Sequence, residues 1–252
     1  MHPEARSIGR LLALAGWCAA LSGGCHGAPL NGPRPAPRVD HLGSMREMIE
    51  SGSAAGRVAL SPLLGLRSLY ALGPLEGLRG EILVWDGTPF IGRIDAGQLR
   101  VAADPDARAP FLVWSSVREW RELAVPAEAG TLAALEEWLP DAARAVGIDP
   151  GRPFAFLVLG AVRHATIHVV DLAPEAALTR ESHDAARRPI NLSDAPVQML
   201  GFFAPDEAGA RGVWLHHSSR IHVHLRTQLG TALGHVDDFS LAPGALLRIA
   251  WR

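Results

Sequence analysis

The stretch Arg220-Ile221-His222-Val223-His224-Leu225 alternates apolar and imidazole side chains with a period of two. That period belongs to a β-strand, in which residues i and i+2 share a face. Read this way, His222 and His224 project together, while Ile221, Val223 and Leu225 pack to the other side. Residues 227–234 are polar and glycine-punctuated enough to turn, so Gly234-His235-Val236 can return on a neighbouring strand. His222, His224 and His235 would then meet at one point, a ligand set suited to an open zinc or other transition-metal site. The competing reading is a set of histidines on a solvated sheet face, because an H-x-H pattern is short.

The rest of the chain is patterned in the same short-period way. Residues 82–85 read as a strand, Asp86-Gly87 as a hairpin turn and residues 90–94 as the return, with a second turn at Asp95-Ala96-Gly97 leading into residues 98–102. Residues 57–60 and 110–114 predict further strands, and the strongly apolar run 153–159 predicts a buried one, with 165–170 as its hairpin partner across 160–164. Residues 198–203, 212–215, 220–225, 236–241 and 246–251 complete the set. Helices are few. Ser44 can cap a short one over 45–50, with Glu47 at the capping-box position, and Pro62 suits a first helical turn. Thr131 can cap another over 132–139, whose Leu132, Leu135, Trp138 and Leu139 share a face; Pro140 is expected to start a separate piece ending near Gly147. The expected class is α+β with largely antiparallel or mixed sheets.

Composition narrows the chemistry. A chain of 252 residues, 48% hydrophobic and 20% charged, can bury a real core in one large or two small domains. All 24 basic residues are arginine. Without lysine there can be no Schiff base, no pyridoxal-phosphate aldimine and no Walker-type phosphate loop. The net charge of −2 and the absence of a polybasic run argue against a nucleic-acid partner.

Residues 1–25 read as an export signal, with Arg6 and Arg10 ahead of an apolar run over 11–21 and then Ser22-Gly23-Gly24-Cys25. Small residues before a cysteine suggest a bacterial lipoprotein site, with a lipid anchor at Cys25 and a periplasmic or membrane-anchored protein. Cys18 and Cys25 are the only cysteines, so the mature body is expected to have neither a disulfide nor a thiol nucleophile. Residues 26–42, with Pro29, Pro33, Pro35 and Pro37, are expected to form an extended linker ahead of one domain over 43–252.

Three separated stretches carry a resemblance. The first is Gly73, five residues, then Arg79-Gly80-Glu81-Ile82-Leu83-Val84-Trp85-Asp86-Gly87. The second is Leu135, three residues, Leu139-Pro140, followed by Phe154-Ala155-Phe156, three residues, Gly160. The third is Gly201-Phe202, two residues, Pro205, then His222-x-His224 and Gly234-His235-Val236-x-Asp238-Phe239. In this order they resemble the acetolactate decarboxylase family, whose enzymes convert 2-acetolactate to acetoin and carbon dioxide, over about residues 44–241. The resemblance implies two packed β-rich halves with a zinc (or another divalent transition metal) in the cleft between them. His222, His224 and His235 would be its ligands, Glu81 would transfer a proton beside it, and the substrate would be a small keto acid. A homodimer is one assembly consistent with it.

The chain departs from the family in two places. Alignment through Ala155 and Gly160 puts His168 where the family has an arginine that meets the substrate carboxylate. His168 can donate a hydrogen bond there but not a bidentate fork. The chain also ends at Arg252, where the family continues into an acidic segment that reaches the site, so that carboxylate is expected to have no counterpart. His216 and His217, between Pro205 and His222, can be an exposed turn or extra ligands. These departures motivate an alternative: an envelope lipoprotein that keeps the fold and the metal for ligand binding or stability without turnover. A cupin-type oxygenase fits less well, because residues 225–233 lack the acid that such a motif needs after H-x-H.

Overall fold

Strands form in every region of the computed structural model, which describes residues 32–216 and 218–252. The export signal, Cys25 and the first part of the Pro-rich segment lie outside the described residues. In chain order the first elements are β1 (Asp40–Leu42), α1 (Met45–Ser51), β2 (Val58–Ala59), β3 (Leu69–Pro74), β4 (Glu81–Trp85), β5 (Thr88–Asp95) and β6 (Gln98–Ala103). There follow β7 (Arg108–Ala109), β8 (Leu112–Ser116), β9 (Trp120–Ala124), α2 (Leu132–Ala145) and β10 (Phe154–Val170). The last are α3 (Arg180–Ala185), β11 (Arg187–Phe203), β12 (Ile221–Thr227), β13 (Leu233–Leu241) and β14 (Leu246–Ala250).

Two six-stranded sheets dominate, in the orders β1-β8-β3-β4-β5-β6 and β11-β12-β13-β10-β14-β9, and every pairing within them is antiparallel. The meander β4-β5-β6 forms as its turn residues predict. Asp86 and Gly87 take φ of 48° and 78°, and Ala96 and Gly97 take 48° and 76°, the positive pair that a two-residue hairpin with right-handed twist requires.

The side-chain alternation of each strand feeds a layer on either side. From β4, Leu83 enters a core between the sheets with Leu72, Ala155, Leu157, Leu200 and Phe202, while Ile82 and Val84 enter an outer core with Val58 and Leu60. From β10, Phe154, Phe156 and Val158 point the opposite way, under Leu135, Leu139 and Ala142 of α2. Strands buried on both faces have no polar alternation to show, which is why these runs are continuously apolar.

Four expectations need correction. Residues 153–159 and 165–170 are not a hairpin. They are halves of β10, which runs through Gly160 (φ 156°) and pairs with β11 from Phe154↔Phe203 to Val170↔Arg187. On its other edge β14 covers Phe156–Leu159 and β13 covers residues 162–168, so residues 160–164 mark a change of partner and not a turn. Pro140 does not begin a second helix but lies inside α2. Its missing N–H frees the Glu136 carbonyl, which accepts from Arg220 Nη2 at 3.5 Å. Residues 212–215 form a turn, with Gly212 at φ 72° and the N–H groups of Val213, Trp214 and Leu215 all donating to the Ala210 carbonyl. The Pro-rich segment expected to run free through residue 42 is tied down where it is described. Arg34 exchanges backbone hydrogen bonds with Gly147 and Asp149, and residues 40–42 pair with β8.

β10, β11, β12 and β13 close into a ring of pairings, because β11 and β13 each bond both β10 and β12. This ring sets the rows of side chains that build the site.

Candidate metal centre

His222 and His224 leave β12 on one face, and His235 on β13 lies directly opposite His224. One ring nitrogen from each of the three lies within 4.8 Å of the others. Ring centroids are 5.0 Å apart for His222 and His224, 4.9 Å for His222 and His235, and 5.5 Å for His224 and His235. The tautomer of His224 follows from its partner: Nδ1–H donates to the Ile82 carbonyl at 2.9 Å, leaving Nε2 as the lone pair. That Nε2 is buried without a hydrogen-bond partner, and so is Nδ1 of His222. A buried polar nitrogen left without a partner costs about 1–3 kcal/mol, so two of them in this histidine cluster fit a bound cation as the missing partner. Burial keeps the rings neutral. It pushes His224 down to about 3, and it holds His222 and His235 well below the usual histidine range, with neighbouring imidazoles adding to the effect. Neutral imidazoles with free lone pairs are the donor set that zinc takes.

Glu81 comes from the other sheet. A lone glutamate at a strand start is usually a surface charge, but this one is 3% exposed. Gly80 before it adopts φ 151°, and a Cβ there would meet the Gly92 carbonyl at 2.5 Å, so the close β4–β5 approach that buries the carboxyl needs glycine. Its Oε1 accepts from the Val170 N–H at 3.3 Å, and its Oε2 stands 3.6 Å from His224 Nε2. Burial raises its pKa to about 8, against the opposing pull of the Val170 N–H and the Arg187 charge. In the metal-free chain burial therefore favours the protonated carboxyl beside the imidazoles.

His168, on β10, lies opposite His235 with ring centroids 4.9 Å apart and is 4% exposed. Its Nδ1–H donates to both oxygens of Asp237, at 2.8 and 2.9 Å. The structure thus brings Glu81, His168, His222, His224 and His235 into one site. Asp237 was invisible to pattern reading because a β-bulge places it. The register passes from Thr166↔Asp238 to Ile167↔Val236, leaving Asp237 as the extra residue whose side chain is re-aimed. His216 was left open by the sequence. Its ring lies 5.2 Å from that of His235, and burial pushes its pKa down to about 4. His217 lies outside the described residues.

Two cavities share His216 and His235 as walls. An inner one of about 30 Å³ is bordered by Glu81, His168 and His222, and an outer one of about 510 Å³ by Arg187, Asp237 and Ser219. The inner space admits one or two water-sized atoms, whereas the outer one admits a small organic molecule.

Solved structures of acetolactate decarboxylases share this fold. The enzyme from Bacillus subtilis subspecies spizizenii superposes with a TM-score of 0.70 at 17% identity, over 85% of this chain and 86% of that one. The enzyme from Bacillus subtilis strain 168 gives 0.70 at 18% identity, over 85% of each chain. A Staphylococcus aureus protein of unknown function, described as similar to alpha-acetolactate decarboxylase, gives 0.68 at 16% identity over 84% of each. No protein-family model matches the chain, and no curated protein does. The common ground with these structures is the fold.

Proposed function

We propose that this protein is a metal-dependent decarboxylase acting on 2-acetolactate or a related 2-hydroxy-3-keto acid, with zinc held by His222, His224 and His235. The observation that carries this reading is the pair of buried, unpartnered ring nitrogens on His222 and His224 beside the buried carboxyl of Glu81. A divalent metal bound there supplies Lewis-acid stabilisation of the negative charge that develops on oxygen as carbon dioxide leaves.

The chain's own residues do the rest. When the bond to the carboxylate carbon breaks, its electron pair stays with the substrate and must take a proton at carbon. Glu81 is the acid placed to supply it: burial favours its protonated form, and with Oε1 engaged by Val170 N–H its Oε2 faces the imidazoles. The Ile82 carbonyl keeps His224 in the tautomer whose free nitrogen faces the site. Apolar walls from Met48, Leu78 and Phe111 line the inner cavity and keep the Glu81 carboxyl dry.

The purified protein should contain about one zinc per chain by elemental analysis and should release acetoin and carbon dioxide from racemic 2-acetolactate. A zinc-loaded preparation that releases no carbon dioxide would sink the reading.

A further inference from the structure

We infer that Arg187 binds the carboxylate of an anionic ligand at the mouth of the His222–His224–His235 site; this rests on the metal-site reading above. Arg187 opens β11 opposite Val170, and cross-strand partners share a face, so its side chain projects on the same face of the ring as His168, two residues earlier on β10, and His235 opposite it. It is the one arginine lining the outer cavity, and it also lines a second cavity of about 430 Å³ with His183 and His216. Its Nε is buried and has no hydrogen-bond partner among the described residues. Its nearest acid is Asp184, at 3.5 Å from Nη2, whose side chain is 58% exposed. The other acids around the outer cavity are Glu136, Asp237 and Asp238. Glu136 is taken up by Ser219 and Arg220, and Asp237 by His168. With its side chain 36% exposed on the cavity wall beside neutral imidazoles and one donor unpartnered, the guanidinium is suited to an anionic carboxylate.

Size places the carboxylate there. A 2-hydroxy-3-keto acid does not fit within the inner space of about 30 Å³, whereas the adjoining cavity of about 510 Å³, which shares His216 and His235 with it and has Arg187 on its wall, is large enough.

The test compares two probes on zinc-loaded protein by calorimetry. 2-Hydroxyisobutyrate carries a hydroxyl and a carboxylate; 3-hydroxy-3-methyl-2-butanone carries a hydroxyl and a ketone but no charge. Arg187→Gln should weaken the acid about ten- to hundredfold, as loss of a charged hydrogen-bonded pair does, and leave the ketone unchanged. Arg187→Lys should fall between, and Arg188→Gln, at the exposed next residue, should match the parent protein. The inference is overturned if the parent protein does not bind the acid, if Arg187→Gln leaves acid affinity unaltered, or if it weakens both probes equally. Zinc content and acetoin formation are read separately. A parent protein that binds the acid through Arg187 but makes no acetoin refutes the decarboxylase and keeps this inference; acetoin formation with unchanged acid binding in Arg187→Gln does the reverse.

Discussion

His224 has one nitrogen committed to the Ile82 carbonyl and the other buried with no partner, in a side chain with no solvent exposure. Its neighbour Glu81 is equally enclosed. The two residues divide the chemistry, and substitution should separate them. Glu81→Gln keeps the volume and the contact with Val170 N–H but removes the exchangeable proton, so kcat for acetoin formation should fall about 10²- to 10⁴-fold while zinc content stays stoichiometric. His224→Ala should instead lose the zinc and leave the Ile82 carbonyl without its donor. Elemental analysis alongside the acetoin assay reads both. Equal loss of zinc in the two variants would show that Glu81 is a ligand and not a proton donor.

At the scale of elements, β13 does more than supply His235. Gly234 runs so close to β10 that a Cβ would stand 2.6 Å from the His168 carbonyl. Two positions beyond His235, the bulge turns Asp237 onto His168 Nδ1. Gly234→Ala must push β13 away from β10 and carry His235 with it. We expect folded protein with zinc affinity lowered at least tenfold, measured by competition with a chelator, and a thermal midpoint lowered by a few degrees. Unchanged zinc affinity would mean that the β10–β13 spacing does not set the site. The meander and the H-x-H strand were legible because their turns and alternation are local. Long β10 was not, since Gly160 and the two polar residues after it look like a turn until β13 and β14 are seen to share its edge. Arg187 was not either, because nothing near it in the chain says that it pairs with Val170.

For the molecule as a whole, burying so many ionisable groups in one place makes stability depend on pH, and the sign differs on the two sides. His224, His222, His235 and His216 have folded pKa values below the unfolded value near 6.5, so the unfolded chain binds more protons as pH falls and metal-free protein loses stability below about 6.5. Glu81 has a folded pKa raised to about 8 from 4.5, so the folded state binds the extra proton, and its contribution is lost as pH rises between those values. The depressed histidines, His183 among them, outweigh the one carboxyl below 6.5, and the raised carboxyl acts above it. The metal-free protein should therefore be most stable near pH 6.5, with a steeper fall on the acid side. Denaturant titrations from pH 4 to 8.5 would show this, and a flat profile would contradict the burial of these groups.

By itself, the sequence determined what short-range periodicity controls. It specified strands with antiparallel pairing, the caps of α1 and α2, the shared face of His222 and His224, and a chemistry without lysine. The tertiary structure decided which strands meet, because hydrogen-bond register between distant segments depends on the whole arrangement and one bulge shifts it. That register put His168 against His235, turned Asp237 inward and aimed Arg187 at the cavity. It also decided that Glu81 is buried, since its exposure depends on a second sheet closing over it and not on the residues beside it.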